Sequence, residues 1–213
     1  MDSHPHPESQ PQQKTDLFES KHQLRQELSN RRRALSPSEK EAADSKLRSR
    51  LLSLIREKDF RTIAAYSPLP SEPGGRRLLD DLAAECTEIW LPLSGSDGQL
   101  TWGLYQEDSL MQQGALGISE PSGPFRDNEV LAELDAVFLP AMAIDSAGYR
   151  LGKGAGYYDR ALETIDSLEP HRRPSLIAIV YDHEFFAEIP HESHDQPVDA
   201  AITPGSIHHI RNR

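Results

Sequence analysis

The spacing of apolar residues along the chain changes near residue 60. Before that point, apolar side chains recur every four residues, at Leu24 and Leu28 and again at Leu47, Leu51 and Ile55. This interval places them on one face of a helix, so the pattern predicts two helices at the start of the ordered chain.

Polar residues indicate where these helices begin. Ser36 is followed by Pro37 and, three residues on, by Glu39. Ser36 can cap the helix, Pro37 suits its first position, and Glu39 can bond back to the capping residue. Ser20 and Gln23 form a second candidate capping box, so the first helix is expected to start there.

After residue 61, short apolar runs typical of buried strands alternate with helical segments. The predicted strands are Thr62–Tyr66, Thr87–Leu91, Gln99–Leu104, Leu134–Leu139, Leu176–Val180 and Ala200–Thr203. The predicted helices are Arg76–Ala84 and Tyr157–Ser167. This alternation predicts an α/β fold, in which a mostly parallel sheet is flanked by helices on both faces in a Rossmann-like three-layer arrangement with two N-terminal helices. Residues 15–213 are expected to form this single domain, and residues 1–14 a disordered polar tail.

The net charge of the chain indicates which classes of binding partner are disfavoured. With 34 Asp and Glu against 23 Lys and Arg, the formal net charge is -11, which disfavours binding to nucleic acid. Residues 21–58 reverse the sign, with 11 Lys and Arg against 5 Asp and Glu. This basic segment is either a solvated helical surface or a local anion site, and charge alone leaves both open.

The cysteine content, the apolar runs and the N-terminal segment indicate the cellular compartment. A single cysteine, Cys86, excludes an internal disulfide and fits a reducing environment. No apolar run approaches the roughly 18 residues of a membrane span, so no membrane partner is expected. Residues 1–14 lack the basic and apolar regions of a secretory signal. A cytoplasmic location is therefore expected.

A glycine-rich stretch between a predicted strand and a predicted helix carries the candidate chemistry. Gly152, Gly154 and Gly156 alternate, and the cations Arg150 and Lys153 lie beside them. Glycines allow positive φ and close approach of a ligand, and successive N–H groups before a helix can cradle phosphate. Neither the Walker A pattern nor the dinucleotide fingerprint is present, so a purely structural turn is the alternative.

Three residues that follow the glycines have two interpretations each. Asp159 lies in the first turn of the predicted helix, where a carboxylate either favours the helix dipole or binds Mg²⁺ beside phosphates. Tyr157 and Tyr158 either pack in the core or stack on a flat heterocycle. The sequence of this loop alone does not decide between them.

The same stretch resembles the signature of the 5-formyltetrahydrofolate cyclo-ligase family, whose pattern is close to Pro-x-x-x-Phe-Asp-x-x-Gly-x-Arg-Leu-Gly-Arg-Gly-x-Gly-Tyr-Tyr-Asp-Arg. The chain departs from it at Ile144, where Phe is usual, and at Lys153, where Arg is usual. Lys153 keeps the charge but loses the planar fork of arginine.

The resemblance extends over nearly all of the ordered chain. Lys21 and Arg25 match a Lys-x-x-x-Arg motif on the family's first helix, and residues four apart share a helical face. Glu72 aligns with a folate-contacting Glu, although residues 73–75, Pro-Gly-Gly, replace a usual Val-Asp-Thr-like run. Asp195 matches the family's His-Asp-x-x-Val-Asp, and Gly117–Pro121 its Gly-Ile-x-Glu-Pro.

The resemblance implies an ATP- and Mg²⁺-dependent ligase that converts 5-formyltetrahydrofolate to 5,10-methenyltetrahydrofolate. Under it, Arg150 and Lys21 are catalytic, Glu72 and Tyr158 contact the reduced folate, and Asp159 and Asp195 hold Mg²⁺. The implied ATP site consists of Lys21, Arg25, Arg150, Leu151, Gly152, Lys153, Gly154, Ala155, Gly156 and Tyr157. A monomer is expected.

Three alternatives compete with this hypothesis. A catalytically inactive regulator of the same fold would bind nucleotide or folate without turnover. An RNA-binding module built on the basic helices is disfavoured by the acidic body, and Arg31–Arg33 are expected to be solvated surface. A transition-metal site at His191 and His194 is disfavoured by the lack of cysteines and of paired helices around it.

Overall fold

The computed structural model describes residues 11–95, 98–106, 111–114, 118–166, 168–169, 172–192 and 195–211. The α-helices are α1 (Pro11–Ala34), α2 (Pro37–Lys58), α3 (Leu78–Ala83) and α4 (Tyr157–Asp166). Short 3₁₀ helices cover Asn128–Glu133 and Asp182–Glu184. The strands are β1 (Thr62–Ala64), β2 (Glu88–Ser94), β3 (Leu100–Leu104), β4 (Met111–Gln113), β5 (Ser119–Pro121), β6 (Phe125–Arg126), β7 (Ala136–Pro140), β8 (Ala143–Asp145), β9 (Arg150–Leu151), β10 (Ser175–Ile179), β11 (Phe185–Phe186), β12 (Ala200–Ile202) and β13 (Ile207–His209).

The main sheet has eight strands in the order β13-β12-β10-β7-β1-β2-β3-β6. Strands β12, β10, β7, β1 and β2 are parallel, and β13, β3 and β6 extend the sheet at its edges in the antiparallel sense. Each of the six predicted strands overlaps an observed strand of this sheet, so the predicted mostly parallel α/β fold is confirmed.

Both faces of the sheet are covered, as the alternation of side chains requires. Ile63 in β1 and Phe138 in β7 point into one core cluster, which also contains Leu51 of α2. Their neighbours Ala64 and Val137 point to the opposite face, into a second cluster that includes residues of α4. Burial on both sides explains why the central strands are continuously apolar in sequence.

Of the two predicted capping boxes, the structure contains the one at α2 but not the one at α1. The capping box at α2 is confirmed: the Glu39 N–H donates to Ser36 Oγ, and the Ser36 N–H donates to the Glu39 carboxylate. The predicted box at Ser20 is wrong, because α1 already runs through it and the Ser20 hydroxyl donates to the carbonyl of Asp16.

The start of α1 also lies earlier than the predicted boundary of the tail. The helix begins at Pro11, so residues 11–14, expected to be disordered, are helical. Pro is compatible with a first helical turn, and the Gln and Lys residues that follow are good helix formers. Residues 1–10 lie outside the described part of the chain.

A small second sheet, in the order β11-β8-β9, packs against α1. Leu28 of α1 is fully buried there against Leu151. One turn further along α1, the Arg32 side chain donates two hydrogen bonds to the Glu184 carboxylate, of 2.6 and 2.8 Å, and one of 2.6 Å to the Ala141 carbonyl. The prediction that Arg31–Arg33 are all solvated is therefore wrong for Arg32, which lies on the same helical face as Leu28.

Cys86 is buried and belongs to the main core cluster as a free thiol. Within the described residues, none of the helices is both long and apolar enough to cross a bilayer.

Candidate active site

The candidate site forms at the carboxyl end of two adjacent parallel strands. β7 leads into the hairpin of β8 and β9 and then into residues 152–156, called here the glycine loop, which α4 follows directly. β1 leads into the Pro-rich segment that carries Glu72. Because β1 and β7 pair in parallel, both segments leave the sheet at the same edge, where open α/β sheets bind ligands.

A buried aspartate shapes the turn ahead of the glycine loop. Asp145 is 1% exposed, and one of its carboxylate oxygens accepts the N–H groups of Ala147 and Tyr149. The other oxygen accepts the N–H of Ile189. These bonds fix the β8–β9 hairpin, and with it the direction in which the chain enters the glycine loop.

Two of the three loop glycines have backbone conformations that require glycine. Gly154 has φ +98° and Gly156 φ +70°, a region that other residues rarely adopt. Gly152 has no such φ and open space around it. Arg160 closes the loop from α4, donating to the carbonyl of Ala155 and to that of Gly98 in the β2–β3 turn.

Of the two predicted cations of α1, Arg25 lies against this loop, and Lys21 lies against the segment that carries Asp195. Arg25 Nε donates a 2.8 Å hydrogen bond to the Gly152 carbonyl, and its guanidinium carbon is 3.4 Å from where a Cβ at Gly154 would lie. Lys21 Nζ is 3.1 Å from Asp195 and 3.0 Å from Glu192. The helix and the glycine loop, more than a hundred residues apart in sequence, thus form one surface.

Arg150 occupies the interior of the same site. Its side chain is 5% exposed, pairs with Asp159 and donates to the carbonyl of Gln196 at 3.2 Å. Burial lowers the pKa of Arg150, and the charges of Asp159 and Asp195 offset part of that effect. The two predicted metal carboxylates therefore both lie close to one buried guanidinium.

The predicted folate contacts border the glycine loop on its other side. Glu72 is 6% exposed; one carboxylate oxygen accepts the Leu69 N–H at 2.8 Å, and the other is 2.6 Å from Lys153 Nζ. Tyr158 packs edge-on to Trp102. Burial, followed by the charge of Glu72, raises the pKa of Tyr158, so its hydroxyl remains protonated and can donate a hydrogen bond.

The donor set fits a magnesium ion that is shared with phosphates. Among the described residues, no group of three or more His, Cys, Asp and Glu is arranged to hold a metal. Mg²⁺ commonly takes only one or two protein carboxylates and completes its shell with phosphate oxygens and water. Asp159, which is 41% exposed, and Asp195 supply carboxylates of that kind close to Arg150.

Some contributors were not anticipated from the sequence. The sequence patterns assign no role to Glu192, Asp145 or the loop-closing Arg160. Asp145 has a usable signal, since it occupies the Asp position of the family signature, directly after Ile144. Glu192 had none, because its importance depends on the packing of α1.

Several other predictions concern residues near this site. The ring of His191 stacks on Tyr149 with centroids 3.7 Å apart, which gives it a packing role. His194 and Gly117 lie outside the described residues. An open groove of about 500 Å³ lies along α1 beside Arg25 and Lys153.

These features define a class of protein: an α/β protein with a cationic, glycine-rich loop at the carboxyl edge of a parallel sheet, close to two carboxylates. A profile of the 5-formyltetrahydrofolate cyclo-ligase family matches residues 18–204. The chain belongs to this family.

Individual relatives agree over most of the chain. The 5-formyltetrahydrofolate cyclo-ligase of Mycolicibacterium smegmatis is 36% identical over 190 residues, covering 87% of this chain and 94% of the relative. That of Escherichia coli is 28% identical over 182 residues, covering 84% and 98%. The solution structure of Aquifex aeolicus 5,10-methenyltetrahydrofolate synthetase superposes with a TM-score of 0.76 at 28% identity, covering 91% and 94%. The synthetase of Mycoplasma pneumoniae has the same fold, with a TM-score of 0.66 at 22% identity over 86% and 98%.

Proposed function

We propose that the protein is a 5-formyltetrahydrofolate cyclo-ligase, which converts 5-formyltetrahydrofolate and ATP to 5,10-methenyltetrahydrofolate, ADP and phosphate. Family membership and similarity to enzymes of this name over most of the chain support the reaction. The observation that carries the ATP site is the contact of Arg25 with the glycine loop, at Gly152 and Gly154.

The chemistry has two steps. The formyl oxygen attacks the γ-phosphorus of ATP, the bond from that phosphorus to the bridging oxygen of ADP breaks, and the formyl carbon becomes electrophilic. N10 then attacks that carbon, loses its proton to solvent, and the phosphate leaves with its C–O bond electrons. Phosphoryl transfer of this kind requires positioning and charge neutralisation more than a protein nucleophile.

The residues of the site supply those two requirements. We assign Lys21, Arg25, Arg150 and Lys153 to the phosphates, together with the backbone of residues 151–157. Arg150 is suited to the transferring phosphoryl group, because a buried guanidinium interacts strongly with developing charge and has a fixed geometry.

The carboxylates are assigned to the metal and the folate. Asp159 and Asp195 would hold Mg²⁺, which when bound neutralises phosphate charge. Both presently pair with cations, Asp159 with Arg150 and Asp195 with Lys21, so ligand binding would exchange these partners. Glu72 and Tyr158 would bind the pterin, with the carboxylate as acceptor and the phenol as donor.

The assignment is tested by incubating purified protein with 5-formyltetrahydrofolate, ATP and Mg²⁺ and following the near-ultraviolet absorbance of the methenyl product. Growth of this band in the complete mixture alone is expected, and omission of any one component should prevent it. ATP binding without turnover would instead support the inactive regulator, although the retained cations and carboxylates favour the enzyme.

The remaining expectations concern the state of the protein. We infer a cytoplasmic monomer that works without nucleic acid or membrane, supported by the net charge of -11 and the single cysteine. Sedimentation at assay concentration would test the monomer, and cell fractionation would test the compartment.

A further inference from the structure

A buried polar cluster on α2 lies beneath the segment that carries Glu72. Asp44 is 1% exposed. One of its oxygens accepts the N–H of Gly74 at 3.0 Å and the hydroxyl of Tyr181 at 2.9 Å, and the other pairs with Lys40. Asp44, Lys40 and Arg48 are together called the α2 anchor.

The α2 anchor and a tyrosine hold the backbone of this segment at successive peptides. The carbonyls of residues 72, 73 and 74 accept hydrogen bonds from Lys40 at 3.0 Å, Tyr66 at 2.8 Å and Arg48 at 2.9 Å. Together with the bond from the Gly74 N–H to Asp44, four side chains fix three consecutive residues. Residues 72–74 are buried, so their backbone groups need hydrogen-bond partners inside the protein, and these side chains supply them.

The Pro-Gly-Gly sequence of residues 73–75 fits the anchor. Gly74 has φ +106°, and its N–H thereby reaches Asp44. At Gly75, a Cβ would lie only 2.8 Å from a carboxylate oxygen of Asp44, so a larger residue would displace that side chain. The departure from the family's usual run at these positions is accommodated by the buried aspartate.

We propose that Asp44 is a positioning residue for substrate, which acts through the Gly74 N–H and through Lys40 to aim the Glu72 carboxylate at the folate. The proposal rests on the function proposed above and deepens it. A carboxylate that binds a planar heterocycle has to be held within about 0.5 Å of its productive position. Because the anchor holds the main chain at residues 72 and 74, its loss would change this aim. Lys153, the phosphate cation that pairs with Glu72, is 55% exposed and does not contact the anchor, so the effect on ATP should be small.

A purely structural role predicts a different result. If Asp44 only joins α2 to the sheet, its removal lowers the stability of the whole domain and affects both substrates alike. If Asp44 positions Glu72, its replacement weakens the binding of folate only. In a variant whose Glu72 is already replaced, the same change should then have little further effect. The KM values of the two substrates and a double-mutant cycle separate these cases.

The experiment compares Asp44→Asn, which preserves the side-chain volume but removes the charge, with Lys40→Met, whose site is 19% exposed and tolerates the change more easily. Both should raise KM for 5-formyltetrahydrofolate by about 10-fold, the effect of one misplaced polar contact, and change KM for ATP by less than about twofold. Glu57→Gln, on the exposed surface of the same helix, is the matched control and should behave as wild type.

The cycle with Glu72→Gln supplies the deciding measurement. In that background, Asp44→Asn should cost less than about twofold further in kcat/KM for folate, since the residue that it aims has lost its charge. Effects that multiply, or equal rises in the two KM values, would overturn the proposal. If Asp44→Asn does not fold, the cycle is measured with Lys40→Met instead.

Failure of this inference is distinguishable from failure of the function. A wild-type protein that forms no methenyl product overturns the enzyme assignment and the inference with it. An active wild type whose anchor variants retain their folate KM overturns the inference alone.

Discussion

Replacement of Arg150 is the sharpest test of the proposed site. The side chain is 5% exposed and contacts Asp159 and the carbonyl of Gln196. Its position in a site largely excluded from water makes its charge effective, because little solvent screens it. Arg150→Ala removes the only fully buried cation that we assign to the transferring phosphoryl group.

The expected magnitude follows from this burial. Loss of a preorganised charge partner for a transition state costs about 100-fold in kcat, equivalent to about 2.7 kcal/mol. Arg150→Lys should lose about 10-fold, because an ammonium keeps the charge but cannot reach Asp159 and the Gln196 carbonyl simultaneously. The order Arg, Lys, Ala is therefore predicted for kcat, with a smaller effect on KM for folate.

The assay is the initial rate of methenyl formation at saturating ATP and Mg²⁺. Arg56→Ala is the matched control, since Arg56 pairs with Glu85 on the protein surface, just ahead of β2 and therefore at the edge of the sheet opposite to the site. Circular dichroism at the assay temperature confirms that each variant is folded. An Arg150→Ala enzyme within about twofold of wild type would remove Arg150 from the mechanism.

Three further predictions concern the loop, the fold and the thiol. Gly154→Ala should lower kcat/KM for ATP at least about 10-fold more than Gly152→Ala, because only Gly154 has a positive φ; equal losses would contradict this. Arg32→Met should lower the free energy of unfolding, measured in urea, by about 3 kcal/mol, because it leaves the buried Glu184 carboxylate without its cation. The double variant Arg32→Met with Glu184→Leu should lose much less, because it removes that carboxylate as well; equal losses would remove this explanation. Burial raises the pKa of Cys86 to about 11, so at pH 8 its reaction with a disulfide reagent should be about 100-fold slower in the folded than in the urea-unfolded protein; equal rates would refute the shift.

Local patterns were sufficient to predict most of the fold. The capping box at Ser36 depends on four consecutive residues, and the central strands on runs that are apolar because both faces of the sheet are covered. The start of α1 was misplaced because a polar, weakly patterned segment does not distinguish a solvated helix from a tail. Propensity alone decides that case, and it is a weak signal.

The candidate site was predicted in part. The glycine loop is contiguous, so its residues could be found together, and the structure brings Arg25 against it as the motif required. The pairing of Glu72 with Lys153 and the anchoring of residues 73–75 by Asp44 join segments far apart in sequence. No periodicity connects them, so only the folded chain could reveal them.

The position of α1 follows from one helical stripe that carries both packing and binding residues. Lys21, Arg25, Leu28 and Arg32 are separated by four, three and four residues, which keeps them on one face. Arg25 and Arg32 lie about 10 Å apart along the axis, so the buried pair of Arg32 with Glu184 fixes where Arg25 meets the glycine loop and where Lys21 meets Asp195. The error in treating Arg32 as surface has the same origin: a cation in phase with a buried leucine belongs to the face that packs, and its buried partner lies 152 residues away.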